Sequence, residues 1–280
     1  SEEDVERPRF DQLKPASSDA LLFAFRRCHN YIAGNQGLQK PDAFWELLKI
    51  IFCKIHDERS SDEVEFYATS KERHNLNGRL KVKARIDALY AAVKAEYDTI
   101  FRENEEIELE PGVLAYIVSQ LQMYSLLESD IDVKGRAYEE IVGSNLRGDR
   151  GEFFTPRNIC QMAVTMLDPN ERQLIMDPAC GTGGFLITAM NYVIEKIRTA
   201  ELAKWGEVAR AEDAIRARVQ RFAEKFIIGM DLNPSLVKAS KMNMVMNNDG
   251  AGGLFQGNSL KAPATWDEVL RARKVMGTVD

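Results

Sequence analysis

The chain has 280 residues, 45% hydrophobic and 29% charged, which is a globular composition with material for one large domain or two ordinary ones. Residues 1–150 carry a net charge of −7 and residues 151–280 of +1, together the −6 of the whole chain; this argues against a generic polyanion binder and leaves room for nucleic acid gripped mainly by a partner subunit. No apolar run approaches the roughly 20 residues of a membrane span, the acidic start "SEEDVERPRF" lacks the apolar core of a secretory signal, and four scattered cysteines with three histidines predict no metal site and suit a reducing cytoplasm.

Taken in chain order, the first 145 residues read as helices. Leu22, Phe23, Phe25 and Ile32 recur at roughly helical spacing within 19–33. Phe44, Leu47, Leu48, Ile51, Phe52 and Ile55 form one stripe within 41–58, and Pro41 suits its first turn. Segments 85–101 and 111–126 continue the pattern. No alternating run here predicts a strand. The basic stretch "KERHNLNGRLKVKAR" (71–85) fits either a solvated helix or loop, or a contact to DNA phosphates or an acidic partner.

The pattern changes near "GSNLRGDRGEFFTPR" (143–157), whose glycines and charges mark a loop. A short apolar run at 172–179 predicts a strand, 185–197 an amphipathic helix, and 198–225 a charged helical excursion. Residues 225–232 predict a second strand, Pro234 opens another helix, and 252–260 holds a third short strand. Alternation of this kind implies a parallel sheet with helices on both faces. The expected division is a helical domain over 1–145 and an α/β part over 146–280.

The loop after the first of these strands reads "DPACGTGGFL" (177–186). It is not a dinucleotide fingerprint, because the place of the third glycine is Leu186, and it is not a phosphate-binding P-loop, because no Gly-Lys-Ser/Thr follows. Asp177 just before the loop repels a pyrophosphate and suits a cationic ligand. S-adenosylmethionine carries an ammonium and a sulfonium and no phosphate, and glycines at a strand-to-helix turn let it approach the backbone. The plain alternative is a tight turn with no ligand.

Three further features bear on that choice. Asp231 ends the second strand, where a carboxylate can accept from ribose hydroxyls or simply cap the next helix. Asn258, after the third strand, fits an adenine edge or an ordinary turn. In "GEFFTPRNICQMAVTML" (151–167), Thr155 suits a helix N-cap and Pro156 a first helical residue, with Ile159, Met162, Ala163, Met166 and Leu167 as the expected buried face. Cys180 reads as a small packing residue, and the histidines have no catalytic spacing.

"DPACGTGGFL" with "GEFFTPR" upstream resembles the modification subunit of type I restriction-modification systems, which are N6-adenine DNA methyltransferases. The likeness covers about 130–280. It implies an α/β, Rossmann-like S-adenosylmethionine-dependent methyltransferase fold, truncated here, preceded by an all-α N-terminal domain. It also implies a cofactor pocket lined by Glu152, Phe153, Phe154, Thr155, Pro156 and Arg157 and by Gly181, Thr182, Gly183 and Gly184. Within it Asp177 meets the methionine end, Asp231 the ribose and Asn258 the adenine. Implied partners are DNA, a specificity subunit, a restriction subunit and a second modification subunit, in the cytoplasm and without a membrane. The family's Asn-Pro-Pro-Phe/Tyr tetrad is absent from these 280 residues, so no catalytic residue is assigned and the chain alone is expected to be inactive. Alternatives are a self-sufficient adenine methyltransferase and a non-catalytic interaction module with a degenerate cofactor fold. A nicotinamide oxidoreductase fails on the glycine spacing.

Overall fold

The computed structural model describes residues 7–145, 155–206, 208–248, 253–266, 269–270 and 275–279. The chain divides into two compact units, Ser1–Arg147 and Gly148–Asp280.

Among the described residues the first unit carries the α-helices α1 (Ser18–Gln36), α2 (Lys40–Ser60), α3 (Ser70–His74), α4 (Leu76–Glu96), α5 (Pro111–Leu121) and α6 (Ile131–Asn145). The apolar stripe of α2 is fully buried, from Phe44 to Ile55. Phe25 and Ile32 of α1 are buried with it, whereas Phe23 lies 57% exposed. Helix α4 begins nine residues before the predicted start, because Asn75 caps it by accepting from the Gly78 amide (2.7 Å). Ahead of it, Thr69 and Glu72 form a reciprocal capping box that starts α3. Helix α6 was not predicted; Ala137, Tyr138, Ile141 and Val142 form its buried face.

The unit also holds one parallel pair that the sequence did not signal, β1 (Lys14–Pro15) beside β2 (Tyr124–Ser125). Two residues are too few for alternation to show. Most of the basic stretch 71–85 is engaged internally. Arg85 lies 3.7 Å over the Tyr67 ring and bonds Glu72 and the Tyr67 carbonyl. Lys83 pairs with Asp87, and Arg79 donates to the Arg73 carbonyl.

The second unit is built on three parallel strands in the order β3 (Ile175–Asp177), β4 (Ile227–Asp231), β5 (Leu254–Gln256). Register pairs Asp177 with Gly229 and Asp231 with Gln256, so the strand ends line one edge of the sheet. Helices α7 (Arg157–Leu167), α8 (Gly184–Trp205), α9 (Val208–Phe226) and α10 (Pro234–Asn248) accompany them. The charged stretch 198–225 is the end of α8 plus α9, turned at Gly206 in the left-handed region. Arg218 of α9 staples this excursion, bonding both oxygens of Glu171 and one of Glu201.

Helices α8, α9 and α10 share one face of the sheet, and a helical turn at 269–270 lies on the other. Leu186, Met190 and Val193 of α8, Phe222 of α9 and Met244 of α10 share one cluster with Ile227 and Leu254. Strands laid down in sequence with right-handed crossovers put successive helices on the same face. The other face is covered by Leu270 and Val275, with Trp266 and Phe255 packed against them.

Helix α7 also differs from its predicted orientation. Cys160 and Val164 are buried, while Ile159 (42%), Met162 (55%), Met166 (78%) and Leu167 (79%) are exposed. Small side chains let α7 lie close against α8, and the large ones turn outward. Its cap is Pro156, whose carbonyl accepts from the Ile159 and Cys160 amides, so Thr155 lies one residue before the cap and does not serve as one.

Asp57 is fully buried and accepts from the Glu65 and Phe66 amides (3.0 Å each), tying the 61–69 loop to α2. Replacing it by Ala strands both amides, and the expected cost is about 2–4 kcal/mol in urea unfolding. Amide exchange at Glu65 and Phe66 should rise with it; unchanged protection there would contradict the tie.

Candidate functional site

The loop between β3 and α8 folds back over the end of β4 through its own amides. The Cys180 amide donates to the Met230 carbonyl (2.8 Å) and the Gly183 amide to the Cys180 carbonyl (2.7 Å). Between them, the Gly181 amide donates to Asp231 Oδ2 (2.9 Å). Asp231 Oδ1 accepts from the Asn233 amide (2.8 Å), and Asn233 itself caps α10 by accepting from Ser235 (3.0 Å). Asp231 is therefore a clamp on the glycine loop, and the adjoining Asn233 fills the capping role.

Asp177 accepts from the Ala179 amide (3.0 Å). Burial pushes its carboxyl above the usual carboxylate range, the Ala179 amide pulls it back, and the Asp231 charge adds to the rise. Two carboxylates thus crowd the same strand ends. No lysine, arginine or histidine among the described residues bonds either of them. Cys180 is buried and its thiol is pushed up to about 12, chiefly by that burial, which makes it a packing group and no nucleophile.

The glycines divide by role. Gly181 (φ +54°) has nothing within 4 Å of where a Cβ would sit, so its face is open. Gly183 (φ +85°) caps α8, and a Cβ there would fall 2.5 Å from Ser240 Oγ. The Cys160 sulfur stands 3.9 Å from the Cβ position of Gly184, which brings the first turn of α7, with Thr155, Pro156 and Arg157, beside the start of α8. Asn258 forms a local turn, its Oδ1 accepting from the Leu260 amide (3.0 Å), two residues past the partner of Asp231 in β5.

The structure thus brings Asp177, Gly181–Gly184 and Asp231 together, with Asn258 at the same edge. Glu152, Phe153 and Phe154 lie outside the described residues. Sequence reasoning missed the polar stripe of α10. Ser240, Asn243 and Asn247 are 0%, 1% and 2% exposed and sit under the loop, with Asn243 Nδ2 donating to the Thr182 carbonyl (3.3 Å). It also missed Leu232, 66% exposed directly after Asp231.

The two glycine environments separate by substitution. Asn tolerates the left-handed region, so Gly181→Asn should cost under about 1 kcal/mol. Gly183→Asn meets Ser240 as well as strain and should cost about 3 kcal/mol. Urea unfolding of the two variants checks the order, and equal losses would refute it.

Comparison with known proteins agrees with this architecture. The N-6 DNA methylase family model matches residues 129–276. The methylase subunit of the type I restriction enzyme StySJI from Salmonella typhimurium is 31% identical over 263 residues, which cover 87% of this chain and 47% of that protein. The chain spans about half the length of the curated type I methylase subunits that it matches along most of its own length. Among solved structures, a modification subunit assigned to a type I restriction enzyme of Vibrio vulnificus YJ016 superposes with a TM-score of 0.56 at 18% identity. That match covers 92% of this chain and 58% of the other. A chain from a structure on complex assembly of the type I restriction-modification system gives the same TM-score and identity over 88% of this chain and 52% of its own. These two likenesses show a shared fold. With a family model matching more than half of its residues, the chain belongs to the N-6 DNA methylase family.

Proposed function

We propose that this chain is the cofactor-binding part of a type I modification subunit and that it holds S-adenosylmethionine at the ends of β3, β4 and β5. The observation that carries the reading is the pair Asp177 and Asp231 beside an open glycine backbone. A phosphate placed there adds negative charge to a site that already crowds two carboxylates. A ligand bearing an ammonium and a sulfonium relieves them.

The residues fit that ligand part by part. Asp177 faces the methionine ammonium. Asp231 keeps lone pairs for ribose hydroxyls after its two amide bonds. Asn258 meets the adenine edge, and Leu232 offers an apolar surface to its ring. Gly181 admits the ligand to the backbone, with Thr182, Gly183 and Gly184 completing the turn. Thr155, Pro156 and Arg157 flank the turn from α7, and by the family likeness Glu152, Phe153 and Phe154 close the wall. When bound, the cofactor supplies a methyl group activated on sulfur.

The 280 residues hold no Asn-Pro-Pro tripeptide, so the grip on the target base is assigned to none of them. In the complete subunit, joined to a specificity subunit, a second modification subunit and a restriction subunit on double-stranded DNA, the methyl acceptor is N6 of adenine. No helix among the described residues is long and apolar enough to cross a membrane. The proposed setting is the cytoplasm, where the four buried cysteines, none in a disulfide, stay reduced.

Titration calorimetry tests the reading. S-adenosylmethionine should bind and ATP and NAD should not; the reverse preference refutes the proposal. Asp177→Asn should weaken binding roughly tenfold, the worth of one charge-assisted hydrogen bond.

The pH dependence follows from the raised Asp177 carboxyl. Because its folded value lies above its unfolded one, its contribution to stability is fully present below the unfolded value and is lost as pH rises through the folded value. Ligand binding has the opposite sign, since a cation favours the ionised carboxylate. Affinity should rise with pH through the folded Asp177 value, and Asp177→Asn should flatten the profile. A pH-independent parent would remove Asp177 from the ammonium site.

A further inference from the structure

Helix α10 is an apolar core helix on most of its circumference, with Met242, Met244, Val245 and Met246 buried. Its inner face nevertheless carries Ser240, Asn243 and Asn247, each almost completely buried. Spacings of three and four residues place all three on one stripe. Burying polar groups costs free energy unless their hydrogen bonds are met, and here Asn243 is bonded at both ends of its amide whereas Asn247 Oδ1 and Ser240 Oγ have no hydrogen-bond partner among the described residues. The bonds run in one direction. Asn247 Nδ2 donates to Asn243 Oδ1 (2.9 Å) and to the Asn243 carbonyl (2.8 Å). With its oxygen so engaged, Asn243 turns its nitrogen toward the glycine loop and donates to the Thr182 carbonyl (3.3 Å).

That carbonyl belongs to the Thr182–Gly183 peptide, whose N–H is held on the opposite side by the Cys180 carbonyl (2.7 Å). The peptide plane is fixed from both edges. Gly183, at φ +85°, carries the chain from this fixed peptide into α8, whose first amides it precedes as the N-cap. Ser240 closes the same floor, its Oγ lying 2.5 Å from the Cβ position of Gly183.

We propose that Asn243, oriented by Asn247, is a positioning residue that sets the conformation of the glycine loop and, through it, the affinity for S-adenosylmethionine. The affinity part rests on the cofactor reading above, and the loop part stands without it. Neither asparagine touches the ligand space; both act through the backbone of Thr182 and Gly183.

The experiment compares the parent chain with Asn243→Leu, Asn243→Asp and Asn247→Leu. Leu conserves volume and removes the donor, whereas Asp conserves shape and sets an acceptor against the Thr182 carbonyl. Thermal melts first select the variants that fold; Asp serves if Leu does not, and Leu if Asp does not. Amide ¹H–¹⁵N spectra without ligand should show the resonances of Gly181, Thr182, Gly183 and Gly184 shifted in both Asn243 variants. Amides of β5 and α9 should stay in place. Asn247→Leu should move the same loop signals by less.

Calorimetry with S-adenosylmethionine should show binding weakened about tenfold by Asn243→Leu, the worth of one buried hydrogen bond, and about threefold by Asn247→Leu. Loop amides that do not move in a folded Asn243 variant overturn the proposal. Moved amides with unchanged affinity overturn the affinity part. A parent chain that binds no S-adenosylmethionine sinks the cofactor reading instead, and the spectra alone then decide the role of Asn243.

Discussion

Burial of a carboxylate at one strand end, with a second carboxylate at the neighbouring end, is the constraint around which the glycine loop is arranged. Asp177 and Asp231 end adjacent parallel strands, and parallel register forces their side chains toward one edge. A protein with no use for that crowding can relieve it by a single substitution. Here it is contained by backbone amides from Ala179, Gly181 and Asn233, which stabilise the charge without neutralising it. Partial satisfaction of this kind leaves lone pairs over. A salt bridge to Lys or Arg would have neutralised that charge.

The clamp has a second effect. Asp231 reaches across fifty residues of sequence to hold the Gly181 amide, so the loop after β3 is shaped by the strand that follows the long α8–α9 excursion. The excursion can therefore be large without loosening the site. Arg218 anchors it to Glu171 and Glu201 at the far side, and the loop is fixed independently at Cys180, Gly181 and Gly183. Closing a longer loop costs entropy only slowly with length, and that cost falls outside the pocket.

Much of this was legible in the residues, and the failures have physical causes. The glycine loop, Asp177, Asp231 and the three strands are written in local chemistry: left-handed turns need glycine, and strand ends carry polar caps. The helical first unit shows in the 3.6-residue stripe of α2. The capping box at Thr69–Glu72, which starts α3, and the Asn75 cap, which splits the basic stretch into α3 and α4, were also there to read. What periodicity could not give is which side of a helix is covered. Helix α7 has two candidate faces, and the larger hydrophobic one is outside because Cys160 and Val164 allow closer packing on α8. The α10 stripe was invisible for a related reason. Asn243 and Asn247 among methionines look like interruptions of a core pattern until Thr182 is found across from them.

Stability and ligand charge are linked at the proposed site. Burial of Asp177 beside Asp231 disfavours the charged, folded, ligand-free unit. On the proposed cofactor reading, the ligand's positive charge offsets part of that cost by Coulomb attraction. The buried amides of α10 escape that linkage because they stabilise the loop without entering its charge balance. This explains why the scaffold beneath the loop is polar but uncharged, while the edge above it is acidic.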